Sequence, residues 1–261
     1  MSDTDKKKNR KMPGKLKSFI LRLILPLCII LVWEAVCRTG LVSSYAMPTP
    51  GTVMRTAIEG IRDGSLWQHI LTSFFRVHEG FMLAAVFGLV LGIAMGLSIK
   101  AEKFFEITVQ ILKPIPPIAW IPIAILWFGI GEQSKLFIIF LGAFFPILLN
   151  TISGIHNLNP RYLELAEVYE VDRRRLISRI ILPGALPEIL TGIRVGLGNA
   201  WVCVVAAEMI AASRGIGYML SNGRSMSRPD VVILGMLLIG IIGKIVDDLL
   251  KYVFGKLNDW T

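Results

Sequence analysis

Residue types able to do chemistry are present in this chain, but their spacing matches no catalytic pattern. It holds no His-Glu-x-x-His run, no Gly-x-Ser-x-Gly elbow and no Cys-x-x-Cys pair. His69, His78 and His156 are scattered. Cys28, Cys37 and Cys203 lie in or beside apolar stretches without metal-ligand spacing, and read as packing residues. Gly243-Lys244-Ile245 ends like a phosphate-binding loop, yet Leu238 stands where the first glycine belongs and Ile245 replaces the hydroxyl residue. If ATP drives this protein, another chain must hydrolyse it. Two chemical features remain. One is a long charged segment over residues 161–183. The other is Glu208, an acid inside an apolar run, where ionisable groups are costly and face a cavity or a partner.

The elements that carry these residues follow from composition. Of 261 residues 54% are hydrophobic and 18% charged, against about 25% charged in soluble domains. The mean hydropathy is +0.62. Apolar stretches near the ~20 residues that cross a ~30 Å hydrocarbon core recur along the chain. The sequence predicts an all-α polytopic membrane protein with six transmembrane helices, at about 19–36, 70–98, 104–128, 135–155, 186–212 and 231–254. The net charge of +9 collects first in Lys6, Lys7, Lys8, Arg10, Lys11, Lys15, Lys17 and Arg22, ahead of the first span. That is a positive-inside tail over residues 1–18, and it suits anionic lipid headgroups. Nucleic acid is not the expected partner, because no aromatic residues interleave with these cations. The first span contains Glu34 and lacks a clear small-x-small site, so it reads as a retained helix rather than a cleaved signal. Both termini are then cytoplasmic. Lys100, Lys103, Arg161, Arg173, Arg174, Arg175, Arg179 and Lys256 fall on the inner side.

Outside, Met47-Pro48-Thr49-Pro50 favours extended chain. Residues 52–62 fit either a helix lying on the membrane surface or an ordinary loop. Gly88, Gly92 and Gly96 repeat every four residues and let another helix approach closely. Pro114, Pro116, Pro117 and Pro122 crowd the start of the third span, which makes it either the wall of a path or a kinked packing helix. Trp120, Trp127 and Trp201 suit a path, the interface or packing, and packing is the better reading for any single one.

The segment 161–183 mixes Glu164, Glu167, Asp172, Arg173, Arg174 and Arg175 with Leu163, Leu165, Ala166, Val168, Tyr169, Val171 and Leu176. A short amphipathic helix over 161–176 needs somewhere to bury its apolar groups, and a soluble partner at the cytoplasmic face provides it. Leu182-Pro183 then ends the segment sharply. Glu164-Leu165-Ala166 followed by Ile180-Ile181-Leu182-Pro183 resembles the EAA loop of binding-protein-dependent ABC permeases. Leu165 replaces the first alanine. Glu170 stands where that family has glycine, at a backbone position glycine fills cheaply and glutamate does not, so the turn either differs or is held more tightly by its partner. Lys113 to Pro122, Trp127 to Glu132, Leu182 to Arg194 and Trp201 with Val205 to Ile210 are similar to the nitrate, sulfonate and taurine branch, taurine permeases above all. The similarity covers about residues 20–255.

The resemblance implies a type I ABC importer permease fold in the bacterial inner membrane. It implies a homodimer with the pathway on its two-fold axis, and two ATPase subunits carrying ATP and Mg. A periplasmic or lipid-anchored binding protein would deliver taurine or another alkanesulfonate, with nitrate, bicarbonate or a vitamin precursor open in the same branch. ATPase coupling would rest on Glu164, Leu165, Ala166, Tyr169, Glu170, Arg173, Leu182 and Pro183, and the pathway on Trp120, Trp201, Glu208 and Met209. No residue is expected to be catalytic, to hold a metal, or to bind a cofactor. Glu208 has two readings, a pathway group or a structural ion pair with Arg194, Lys135 or Lys244. A passive channel would not need the amphipathic loop, and a multispan enzyme would need clustered intramembrane His, Asp or Ser.

Overall fold

In the computed structural model the chain is described over residues 15–40, 42–43 and 46–258, with side chains from residue 24 to residue 256. The expected basic tail lies, up to residue 14, outside the described residues. Helices α1 (Lys15–Arg38), α2 (Pro50–Arg62), α3 (Ser65–Leu97) and α4 (Ile99–Leu112) come first. A 3-10 turn (Pro117–Trp120), α5 (Ile121–Phe128) and α6 (Glu132–His156) follow. Then come α7 (Pro160–Val168), α8 (Arg173–Leu176), a π turn (Ile177–Ile181), α9 (Leu182–Ala211), α10 (Ile216–Ser225) and α11 (Pro229–Asn258). The described residues contain no strand.

Four of these segments are long and apolar enough to cross a bilayer: Ser65–Leu97, Glu132–His156, Arg173–Ala211 and Pro229–Lys256. A fifth exists if α4 and the Pro117–Phe128 segment count as one span, and these two are bent by 85°. Helix α1 has 24 residues, a length of ~36 Å at ~1.5 Å per residue, but its first nine side chains lie outside the described residues. The described residues alone therefore do not reach the expected six.

The third span corrects the sequence reading. Its prolines mark the middle, not the start, because α4 already begins at Ile99, where the Ser98 hydroxyl accepts from the Ala101 N–H at 3.4 Å. Pro114, Pro116 and Pro117 lack donors and stop that helix. Residues 52–62 are helical, as one of the two readings had it. The side chain of Thr49 caps α2 at Thr52, Pro50 supplies a preset φ, and Thr56 donates to Asp230 of α11 at 2.7 Å.

Helix α6 is the centre, with α3 on one flank and α9 on the other. Lipid offers no hydrophobic drive between helices, so close van der Waals packing of small residues must hold them. A methyl placed on Gly88, Gly92 or Gly96 would come within 3.0, 2.7 or 2.7 Å of Ile147, Thr151 or Ile155. Gly80 extends the stripe, 2.7 Å from Ile139. On the other flank Gly196 lies against the Ala143 carbonyl and Gly192 against the Pro146 carbonyl.

Candidate functional site

The segment between α6 and α9 is built from local caps. The Asn159 side chain accepts from the Arg161 N–H, with Pro160 at the first helical position of α7. At its other end the Glu170 N–H donates to the Glu167 carbonyl at 3.0 Å and the Val171 N–H to the Ala166 carbonyl at 2.9 Å. That pair of bonds is a Schellman turn, whose reversing residue takes a left-handed conformation. Glu170 occupies that place with φ +48°. Asp172 then caps α8 through the Arg174 N–H. The single helix expected over 161–176 is thus two helices joined by a reversal, because Glu170 breaks the right-handed run. Leu182-Pro183 is also corrected. It does not end the segment: the π turn carries the chain directly into α9, and Pro183 falls where a helix start tolerates a missing donor.

This geometry sorts the coupling residues. Ala166 is turned inward, while Tyr162, Leu163, Leu165, Val168 and Tyr169 are exposed. Glu164, Glu170 and Arg173 are exposed as well, and Glu164 has no ion pair among the described residues. Leu182 and Pro183 are half-buried at the base of α9.

At the opposite end of the bundle Glu208 is buried and fully engaged. Arg76 Nη1 donates to Oε1 at 2.8 Å, the Gly217 N–H to Oε2 at 2.9 Å, and the Ser73 hydroxyl donates at 2.8 Å. The same hydroxyl accepts from the Ile216 N–H at 2.8 Å. Arg76 also clasps Glu132 with two bonds, of 2.5 and 2.7 Å, and donates to the Arg214 carbonyl at 2.6 Å. Lys135 completes the cluster on Glu132 at 2.9 Å. His69 Nδ1 accepts from the Gly215 N–H at 3.1 Å. The side chains of Arg76, Lys135 and Glu208 are 7%, 4% and 0% exposed, and Glu132 at 58% forms the rim. There is no room for a side chain at Gly215 or Gly217, where a Cβ would meet the Glu208 side chain or the Val205 carbonyl.

The ion partner of Glu208 is therefore Arg76, not Arg194, Lys135 or Lys244. Those three are committed elsewhere: Arg194 to Asp247, Lys135 to Glu132, and Lys244 to Asp248. Sequence reasoning missed Arg76 although it carries the same signal as Glu208, a charge within an apolar helix.

The four pathway residues do not come together on one surface. Trp201 is buried beside a cavity of about 280 Å³ between α9 and α11 and another of about 240 Å³ reaching α3. Trp120 packs edge-on against Phe137, with ring centres 6.3 Å apart. Met209 is exposed. Glu208 opens onto α3 and α10.

The model of the family described as "binding-protein-dependent transport system inner membrane component" matches residues 84–257. An aliphatic sulfonates transport permease, SsuC, of Bacillus subtilis is 39% identical over 252 residues, 96% of this chain and 91% of that one. The taurine transport permease TauC of Escherichia coli is 36% identical over 88% of this chain and 85% of its own. The nitrate import permease NrtB of Leptolyngbya laminosa is 32% identical over 76% and 70%. Among solved structures, an inward-facing MetNI methionine ABC transporter aligns with TM-score 0.59 and 17% identity, over 72% of this chain and 95% of that one. That likeness is of fold, and it is the fold of type I importer permeases.

Proposed function

The chain belongs to the binding-protein-dependent transport family of inner-membrane components, and from that premise we propose that it carries taurine or another alkanesulfonate across the membrane. At the coarser level it is an ABC importer permease of the sulfonate, taurine and nitrate branch. ATP and Mg belong to a separate ATPase subunit, two copies of which grip the α7–α8 segments of a permease homodimer. A binding protein delivers solute to the opposite, periplasmic face, and both termini are cytoplasmic in the bacterial inner membrane. ATP binds one state of the assembly better than the other, and that difference in affinity moves the pathway between inward and outward access.

The observation that carries this reading is the outward face of α7. Leu165, Val168 and Tyr169 are exposed along one side of a short helix and its cap outside the spans, with Leu163 also exposed and Glu164 without an ion pair among the described residues. Exposed apolar side chains at this spacing suit an interaction site, and a soluble ATPase with a matching groove covers them. Glu164→Ala tests the assignment. The variant is expected to reach the membrane in normal amount, to lose taurine uptake, and to leave ATP hydrolysis by the assembly unresponsive to loaded binding protein. Normal uptake would sink the reading.

A further inference from the structure

Among the cations in the apolar helices or at their breaks are six: Arg76, Lys113, Lys135, Arg194, Lys244 and Lys251. Five are neutralised. Arg76 and Lys135 share Glu132, Arg76 also holds Glu208, Arg194 and Lys251 share Asp247, and Lys244 pairs with Asp248. Lys113 alone has no partner among the described residues, and it is exposed. It sits where α4 ends, at the 85° break that Pro114 and Pro116 impose. An unpaired ammonium facing hydrocarbon is costly, so such groups face water or a ligand. Broken helices likewise survive at membrane depth where they border a cavity.

A second observation adjoins the first. The 3-10 turn that follows the break packs against α9, and Trp120 borders the apolar cluster that holds Cys203 and Ala207 of α9. Helix α9 buries one side in the bundle, and its other face carries the exposed residues Thr191, Val195, Asn199 and Val202, which helical spacing aligns. The Asn199 side chain has no hydrogen-bond partner among the described residues. Its amide in lipid would leave donors and an acceptor unsatisfied. The one carboxylate on this face, Glu188, is ~16 Å along the helix from Asn199 and one turn from Thr191, at the face's inner end.

We propose that Lys113 is the cation that meets the anionic group of the solute in transit, and that the Thr191–Val202 face of α9 is an adjoining wall of the pathway. This rests on the proposed transport of a sulfonate and assigns the site within it.

The experiment uses the whole transporter, permease with ATPase and binding protein, in proteoliposomes, with radiolabelled taurine and ethanesulfonate as probes. Lys113→Gln is expected to lower uptake about tenfold, Lys113→Glu to abolish it, and Lys113→Arg to keep most of it. ATP hydrolysis stimulated by loaded binding protein stays within about twofold of the unaltered chain, because docking and coupling are untouched. In a background lacking Cys28, Cys37 and Cys203, Lys113→Cys reacts with a charged, water-soluble thiol reagent, and solute slows the reaction. Unchanged uptake by Lys113→Gln, or an unreactive Lys113→Cys, overturns the inference while the proposed function stands. Failure of the unaltered chain to carry either probe overturns both.

Discussion

Glu170 reverses the chain at φ +48° with a side chain that gives no help in doing so. Left-handed backbone costs an L-residue roughly 1–2 kcal/mol, and glycine avoids that cost. The turn nonetheless keeps both Schellman bonds, so the capping of α7 and the start of α8 together outweigh the strain. Glycine also loses more chain entropy on folding, roughly 0.5–1 kcal/mol, which offsets part of the gain. Glu170→Gly is therefore expected to raise the thermal midpoint of the detergent-solubilised permease slightly. Glu170→Val is expected to lower it, by an amount equivalent to roughly 1 kcal/mol or more, because a β-branched side chain fits this region worse. A midpoint that falls for glycine and holds for valine would refute the strain argument. The position was legible in the sequence as the more consequential of two departures from the EAA pattern, Leu165 being the other. What the sequence left open was whether the turn itself changed, because a backbone angle depends on bonds made by residues on both sides of it.

Among the elements, the glycine stripe of α3 was legible and the bend of the third span only partly so. A spacing of four on a long apolar helix puts Gly88, Gly92 and Gly96 on one face by helical geometry alone, and α6 is the neighbour they admit. Prolines announced a break, but its position depended on where α4 began, and the Ser98 cap sets that. The stripe predicts a graded response. Gly92→Leu drives a branched side chain into Thr151, already 2.7 Å from a bare Cβ, and overpacking of this kind costs about 1–3 kcal/mol. The yield of folded protein and its thermal midpoint should both drop. Gly243→Ala, on α11 where a Cβ meets nothing within 4 Å, should leave both unchanged or slightly raised, because alanine is the better helix former. A Gly92→Leu chain as stable as the unaltered one would mean that the α3–α6 contact does not set the effect.

Across the whole molecule, the bundle is fastened at the end far from α7 and α8 by a contact no local pattern announces. Arg76 and Glu208 are 132 positions apart in sequence. Glu208 read as a charge in an apolar helix while Arg76 went unnoticed, and only the packing of α3 and α9 about α6 makes them a pair. The span Arg173–Ala211 runs from α8 to this cluster without a break. A displacement of α8 by a bound ATPase would therefore be carried along α9 to the turn that Ser73, His69 and Glu208 hold. If the cluster is what binds α3, α6, α9 and α10 into one body, its members must be energetically coupled. Removing Arg76 leaves Glu208 a buried charge without its ion partner, at a cost of about 3–5 kcal/mol, whereas removing Glu208 leaves Arg76 on Glu132 and costs less. Removing both leaves no such orphan at Glu208, although Glu132 still needs Lys135. Arg76→Met should strongly lower the thermal midpoint of the solubilised permease, and Glu208→Met should lower it less. The double variant should lose less than the sum of the two, by about 0.5–3 kcal/mol, the range for residues in direct contact. Strict additivity would make these two independent burials, and the four helices would then be joined by their small-residue packing alone.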